Sequence, residues 1–310
     1  MLAATVQGMT ITESRTVRCR SRAELLALPP AQYGFSPQES IVAMRMSGKY
    51  LLFMARLDLS HVGEGYSDAA QTLSTMATSN PAPDSHWMLL CYTQSPNLGA
   101  ALMTSLADEL DDVSIMVLSD GASTWEVVNG TLIDEEAVAI SDALTQQISE
   151  LWPGEVVASR DEAVAEVYRW QPSKPLTSAA RRRVEALSDE ARMQRLEALL
   201  AMRELPDADA AELAVLVGYE EPFAEVVAHM NRDVAPLRRA ALLAARVQAP
   251  ARNVGSVLSL LALAYWLEGA GALAAECLVQ IGRDEGRHPL ADTVGVLLKL
   301  GVPPSRWDER

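Results

Sequence analysis

The stretch LLALPPAQYGFSPQESIVAMRMSGKYLLFMARLDL, residues 25–59, decides the fold. Its second half contains two apolar segments, residues 40–46 and 49–57, which are separated by Ser47-Gly48. Because glycine tolerates positive φ, this pair predicts a tight two-residue hairpin loop between two strands. The two segments scarcely alternate between apolar and polar residues, whereas a strand with one solvated face does. The pattern therefore predicts strands that are covered on both faces, and helices are the usual cover in an α/β domain.

The residues before this hairpin predict helical turns and a sharp bend. Ser21 and Glu24 have the spacing of a capping box at the start of a helix, which we expect Pro29-Pro30 to end. Tyr33-Gly34-Phe35 then turns the chain. Ser36-Pro37-Gln38-Glu39 repeats the capping pattern, with proline at the first helical position, and predicts one further helical turn.

Strands and helices alternate along the rest of the first half, which predicts a mixed, partly parallel sheet with crossover helices. The predicted strands lie at residues 87–93, 113–119, 124–128 and 131–133, after a first strand around residues 10–19. The predicted helices lie at residues 67–77, 97–110 and 134–151, with a glycine-containing loop at residues 61–65. We therefore expect an α/β domain at residues 1–171, with helices on both faces of its sheet.

The second half of the chain predicts helices alone. Two prolines bracket polar residues at Gln171–Pro175, which is the best candidate for a domain boundary. Residues 176–310 then form the expected all-helical domain, which begins with one long helix at residues 177–205. Tyr265-Trp266 beside the glycines of residues 269–271 has the spacing of a helix–turn–helix unit, so solenoid-like, tetratricopeptide-like packing is expected. A strict repeat of 34 residues is not evident.

Composition excludes several classes of function. The net charge of −15 and the pI near 4.7 oppose the phosphate neutralisation on which nucleic-acid binding depends. The three cysteines are scattered and lack metal-binding spacing, so neither a disulfide framework nor a zinc site is expected. No secretory signal and no membrane-spanning segment are recognised, which predicts a cytoplasmic protein.

The segment at residues 25–59 resembles a known family. Members of domain of unknown function 4192, found mainly in actinobacteria and their phages, carry a Gly-Phe-x-Pro-x-x-Ser turn and a strand that ends in Ala-Arg-x-Asp-Leu. The matching positions here are Gly34, Phe35, Pro37, Ser40, Ala55, Arg56, Asp58 and Leu59. The resemblance implies a relationship along the whole chain, because later segments fit as well, and it implies no activity.

Two acids carry the one hypothesis for a ligand site. Asp58 and Asp120 each follow an apolar strand, and ligands of open α/β sheets bind outside the carboxyl ends of the strands. If both strands are parallel neighbours, the two carboxylates would hold a metal ion or a phosphate-bearing ligand, with His61 and Glu64 nearby. The simpler alternative is that each Asp caps the next helix or stabilises a turn.

No catalytic motif is present: the chain lacks a dinucleotide fingerprint, a phosphate-binding loop, a zinc-protease motif and a nucleophile elbow. The sequence therefore predicts no cofactor, no resident metal and no catalytic residue. The leading hypothesis is a cytoplasmic adaptor that docks a protein partner on its helical domain, and a homo-oligomer is also compatible. The alternative is an enzyme or ligand sensor whose site lies near Asp58 and Asp120.

Overall fold

A computed structural model describes residues 4–6, 16–17, 19–151, 156–283 and 288–308. The chain forms two compact units. The first contains Met1–Glu162 together with Lys299–Val302, and the second contains Ala163–Leu298 together with Pro303–Arg310.

The first unit is built on a mixed β-sheet. Its strands are β1 Ala4–Val6, β2 Thr16–Val17, β3 Ser40–Ser47, β4 Tyr50–Asp58, β5 Ser85–Tyr92, β6 Val113–Ser119, β7 Ser123–Val128 and β8 Thr131–Ala137. Within the described residues, they lie in the order β2-β1-β4-β3-β5-β6-β7-β8. Strand β3 is antiparallel to both β4 and β5, whereas β5 and β6 are parallel. Consequently β4, β5 and β6 end at one edge of the sheet, which we call the carboxyl edge.

The predicted hairpin is confirmed, with its loop one residue later than expected. Ser47 pairs with Tyr50, so the two loop residues are Gly48-Lys49. Gly48 has a φ of +54°, a value that glycine adopts without steric cost. The predicted first strand, around residues 10–19, falls mostly outside the described residues, which contain only its segment β2 and Cys19.

Both faces of the sheet are buried, as the unbroken apolar pattern of its central strands predicts. Ile41 and Ala43 of β3 belong to one hydrophobic cluster, and Val42 and Met44 belong to another. Because successive residues of a strand point to opposite faces, the two clusters cover opposite sides of the sheet.

Helices supply the cover on each face. The helices of this part of the chain are α1 Arg22–Leu26, α2 Leu28–Tyr33, α3 Leu59–Ser79, α4 Pro96–Asp108, α5 Asp142–Leu151 and α6 Arg160–Tyr168. Helices α3 and α4 bury their apolar residues in the cluster of Ile41, and α1, α2 and α5 bury theirs in the cluster of Val42. The division between the two units falls within α6.

Of three predictions near the start of the chain, one is confirmed and two are wrong. Ser21 caps α1 as expected, since its side chain accepts a hydrogen bond of 3.2 Å from the Glu24 N–H. Pro29 and Pro30, however, do not end that helix: they lie in the first turn of α2, where a missing N–H costs nothing. The helical turn predicted at residues 36–39 is wrong, because Ser36 N–H instead donates to the Val157 carbonyl at 3.0 Å.

Two boundaries farther along the chain are also wrong. The loop predicted at residues 61–65 is helical, because α3 begins at Leu59 and is interrupted only at Gly65, whose φ and ψ are −166° and 73°. The helix predicted from residue 134 begins later, since β8 continues to Ala137 and α5 starts at Asp142. The Asn129-Gly130 hairpin is confirmed, and both residues have positive φ.

The second unit is helical. Its helices are α7 Lys174–Glu185, α8 Asp189–Leu200, α9 Asp207–Leu216, α10 Glu220–Ala228, α11 Ala235–Gln248, α12 Val254–Leu267, α13 Gly271–Arg283 and α14 Pro289–Lys299. As predicted, the described residues from 176 onward contain no strand. The single long helix predicted at residues 177–205 is wrong, because Ser188 interrupts it and caps α8 through the Ala191 N–H at 3.3 Å. Helix α12 is buried on nearly all sides and forms the centre of this unit.

A buried carboxylate joins α7, α8 and α9. Glu212, whose side chain is 5% exposed, accepts hydrogen bonds from Arg183 Nε at 3.0 Å and from Arg195 Nε at 2.9 Å. Arg195 also donates to Asp209 at 2.6 Å. These charge-assisted contacts satisfy a group that would otherwise be costly to bury.

Candidate functional site

A cleft of about 550 Å³ opens at the carboxyl edge of the sheet in the first unit. It lies where β4 passes into α3, beside the first turns of α4. Its walls are formed by the following residues: Gln38, Glu39, Asp58, Leu59, Ser60, Gly63, Leu98 and Leu102. The position agrees with the rule that open α/β sheets bind ligands outside the carboxyl ends of their strands.

The strand pairing brings the backbones of two acidic residues that line the cleft, Glu39 and Asp58, to the same edge of the sheet. Ser40, the first residue of β3, pairs with Asp58, the last residue of β4. One residue beyond this pair, Leu59 N–H donates to the Glu39 carbonyl at 2.9 Å. Glu39 and Asp58 therefore stand on facing backbone segments at the edge of the sheet.

One oxygen of the Asp58 carboxylate is occupied by a guanidinium group. Arg56 Nη2 lies 2.7 Å from Asp58 Oδ1 and also donates to the Gln38 carbonyl at 3.2 Å. The second oxygen, Oδ2, is 3.8 Å from His61 Nδ1, which exceeds the length of a hydrogen bond. The Oδ2 atom of Asp58 thus keeps acceptor capacity.

The Glu39 carboxylate accepts hydrogen bonds from two groups that precede α4. Its two oxygens accept hydrogen bonds from Thr93 Oγ1 at 2.7 Å and from the Gln94 N–H at 2.8 Å. The backbone of Glu39 has a φ of +41°, a value that residues other than glycine adopt at a cost in free energy. The N-terminus of the helix that follows a strand is where α/β proteins often bind an anion. Here the Glu39 carboxylate accepts the hydrogen bonds of the donors that precede α4.

The opposite wall of the cleft is apolar. Leu59, Leu98 and Leu102 form it, and Leu98 is 56% exposed, more than any other large apolar side chain among the described residues. Gly63 adds open space, because a Cβ atom there would have its nearest neighbour, Leu102 Cδ2, at 4.0 Å.

The structure brings two of the four predicted site residues together. Asp58 lines the cleft and His61 lies beside it, whereas Glu64 is exposed farther along α3. Asp120 follows β6, and β3 and β5 intervene between β6 and β4. Adjacent strands are about 4.8 Å apart, which separates the backbones of Asp58 and Asp120 by on the order of 14 Å.

Asp120 is engaged in a turn of its own. Its Oδ1 atom accepts hydrogen bonds from the Ser123 N–H at 2.8 Å and the Ala122 N–H at 2.9 Å. These donors, that of Ser123 foremost, hold the pKa of the Asp120 carboxyl below its ordinary value. Its side chain therefore stabilises the turn between β6 and β7.

The sequence does not predict the other residues of the cleft as site residues: Gln38, Glu39, Leu59, Ser60, Gly63, Leu98 and Leu102. The sequence pattern places Glu39 in a capping box and Gly63 in a loop. No local signal marks Leu98 or Leu102, because helical periodicity alone does not distinguish a leucine in a cleft from one in the core.

The cleft combines hydrogen-bond acceptors with an apolar wall. Among the described residues, no group of three or more His, Cys, Asp or Glu side chains is placed to hold a metal ion. None of the helices in the described part of the chain is both long and apolar enough to span a membrane.

Comparison with known proteins identifies a family. No curated protein and no solved structure matches the chain. A family model described as "Domain of unknown function (DUF4192)" matches residues 23–305, which include most of each unit and every residue of the cleft. The chain therefore belongs to the family of domain of unknown function 4192.

Proposed function

We propose that the first unit binds a small organic molecule in the cleft at the carboxyl edge, and that the chain acts as a ligand-binding protein. One observation carries the proposal: an exposed leucine, Leu98, lines a cleft whose other lining residues include the acids Glu39 and Asp58. Ligand sites in proteins typically combine an apolar wall with a few placed polar groups in a volume of about 300–1,000 Å³.

The test is a thermal-unfolding screen of the full chain against compounds that differ in charge and shape. A ligand that binds only the folded state raises Tm by mass action. We expect at least one class of compound to raise the Tm of the wild type and not that of Gly63→Leu, which fills the cleft. Compounds that raise both Tm values equally bind elsewhere, and that result would refute the proposal.

A second candidate function concerns the second unit. Helices α13 and α14 approach each other closely at Leu278 and Gly295, and each leaves a valine exposed, Val279 by 44% and Val296 by 54%. We propose that these exposed valines dock a protein partner that carries a basic, apolar segment, which the net charge of −15 would attract. Affinity capture with the wild type and with Val296→Glu tests this, since the proposal requires that the variant lose the captured partner.

Three further proposals concern context. A cytoplasmic location is supported by Cys19, Cys91 and Cys277, which are free and buried thiols. Solenoid-like packing of the second unit is supported by the contact of α11 with α12 and of α12 with α13. A source among actinobacteria or their phages is supported by the family resemblance at residues 25–59.

A further inference from the structure

We infer that the ligand of the carboxyl-edge cleft carries a positive charge, as an amine or guanidinium group on a short aliphatic chain. This inference rests on the proposed function of the cleft and specifies its ligand class. It departs from the phosphate-bearing ligand that the strand-end acids suggested, because the structure adds Glu39 to the site.

The charges of the cleft are not balanced. Glu39 and Asp58 are the titratable side chains among the described residues that line it. Arg56, which does not line the cleft, pairs with Asp58 at 2.7 Å. The hydrogen-bond donors on Glu39 are the Thr93 hydroxyl and the Gln94 N–H, and both are neutral. These three charged groups together leave one negative charge at the cleft, and a cation would neutralise it.

The carboxylates also have acceptor capacity that fits a cationic group. A carboxylate accepts about four hydrogen bonds. Each Glu39 oxygen receives one, and Asp58 Oδ2 faces His61 at a distance of 3.8 Å. An ammonium group donates three hydrogen bonds and a guanidinium donates five, so either group can use these free positions.

An anionic ligand would meet the opposite conditions. The donors that precede α4, Thr93 Oγ1 and the Gln94 N–H, already serve Glu39. A phosphate or carboxylate would have to displace that side chain and would then lie beside the net negative charge of the cleft. The leucine wall adds a requirement of its own, because covering Leu98 calls for an aliphatic portion that a bare metal ion lacks.

The experiment compares four probes on the full chain by isothermal titration calorimetry: n-hexylammonium, hexanol, hexanoate and inorganic phosphate. The first three share one aliphatic tail and differ in charge. We expect n-hexylammonium to bind at least about tenfold more tightly than the others, with an affinity that falls as salt is added. Glu39→Gln keeps the shape of the side chain and should lower the affinity for n-hexylammonium by about tenfold or more. Asp58→Asn should lower it to the same extent.

Asp68→Asn is the matched control, because Asp68 is an exposed acid on α3 that does not line the cleft. It should leave the affinity for n-hexylammonium unchanged. Equal losses in Glu39→Gln and Asp68→Asn would overturn the inference, since they would indicate a nonspecific effect of net charge. Tighter binding of hexanoate or phosphate, abolished by Gly63→Leu, would overturn the inference and leave the proposed function standing. If Gly63→Leu binds every probe as the wild type does, both fail.

Discussion

The carboxylate of Glu39 accepts a hydrogen bond of 2.8 Å from the backbone N–H of Gln94. This contact joins the residue before β3 to the segment that links β5 to α4. It holds one wall of the cleft against the sheet and places a negative charge at the position where many α/β proteins receive an anionic ligand. The shape and the charge of the cleft therefore depend on the same side chain.

Replacing Glu39 should show how much its hydrogen bonds and its strained backbone each contribute to the free energy of unfolding. Glu39→Ala leaves the Thr93 hydroxyl and the Gln94 N–H without this partner, and we expect a loss of about 1–2 kcal/mol in the free energy of unfolding. Glu39→Gly loses the same hydrogen bonds but relieves the positive φ, and should be about 1 kcal/mol more stable than Glu39→Ala. Urea denaturation of both variants measures the difference, and equal stabilities would contradict the strain.

Replacing each of two glycines of the first unit by alanine should change the free energy of unfolding in opposite directions. At Gly99, a Cβ atom would lie 2.8 Å from both Leu118 Cδ1 and Thr93 Cγ2, so Gly99→Ala should destabilise the protein by about 1–3 kcal/mol. At Gly63, the nearest atom would be 4.0 Å away, and Gly63→Ala should stabilise α3 by up to about 1 kcal/mol. Urea midpoints with unchanged m-values test both, and a stabilised Gly99→Ala would show that α4 does not approach the sheet as closely as the structure indicates.

The Glu212 cluster should be the most sensitive ionic site of the second unit. Glu212→Ala leaves Arg183 and Arg195 without their buried partner, and we expect a loss of about 3 kcal/mol. Arg183 is 48% exposed, so Arg183→Ala should cost much less, about 1 kcal/mol. A double-mutant cycle by chemical denaturation measures the coupling, and additive effects of the two substitutions would contradict the cluster.

His288 should make stability depend on pH. Burial lowers its pKa from the ordinary value of 6.5, while Asp292 acts weakly in the opposite direction, and the ring lies 4.7 Å from that of Phe223. Between the pKa of the folded state and 6.5, the unfolded state binds more protons, so the free energy of unfolding decreases as the pH falls through this window. Above 6.5 the contribution is fully present.

The check is a series of urea denaturations between about pH 5 and about pH 8. His288→Gln should flatten the slope of stability against pH in that range, relative to the wild type. An identical slope in the variant would show that His288 does not cause it.

The fold was predictable where local pattern and burial agree. The two apolar segments around Gly48 specified the hairpin, and Asn129-Gly130 specified another, because positive φ at these residues leaves few alternatives. Pro29-Pro30 misled the prediction, since proline is tolerated in a first helical turn and sequence alone does not show whether a helix begins or ends there. The glycines at positions 63 and 65 likewise suggest a loop. Val62 is nevertheless packed in the core and the chain is helical at Gly63, so that only Gly65 departs from helical φ and ψ.

The site was predictable only in part. Asp58 follows an apolar strand, and that position correctly indicates the carboxyl edge of the sheet. The separation of Asp58 from Asp120 depends on the insertion of β3 between β4 and β5, which no local signal encodes. Glu39 could not be assigned because its role arises from Thr93 and Gln94, more than fifty residues away in the sequence.

The most direct test of the cleft is a map of amide chemical shifts in two-dimensional NMR spectra of the full chain, recorded as n-hexylammonium is added. The account predicts that the amides of Gly63, Gln94 and Leu98 shift and saturate together, and that these shifts are lost in Glu39→Gln. Saturating shifts confined to residues away from the carboxyl edge, or shifts at the cleft that hexanoate reproduces at equal concentration, would contradict it.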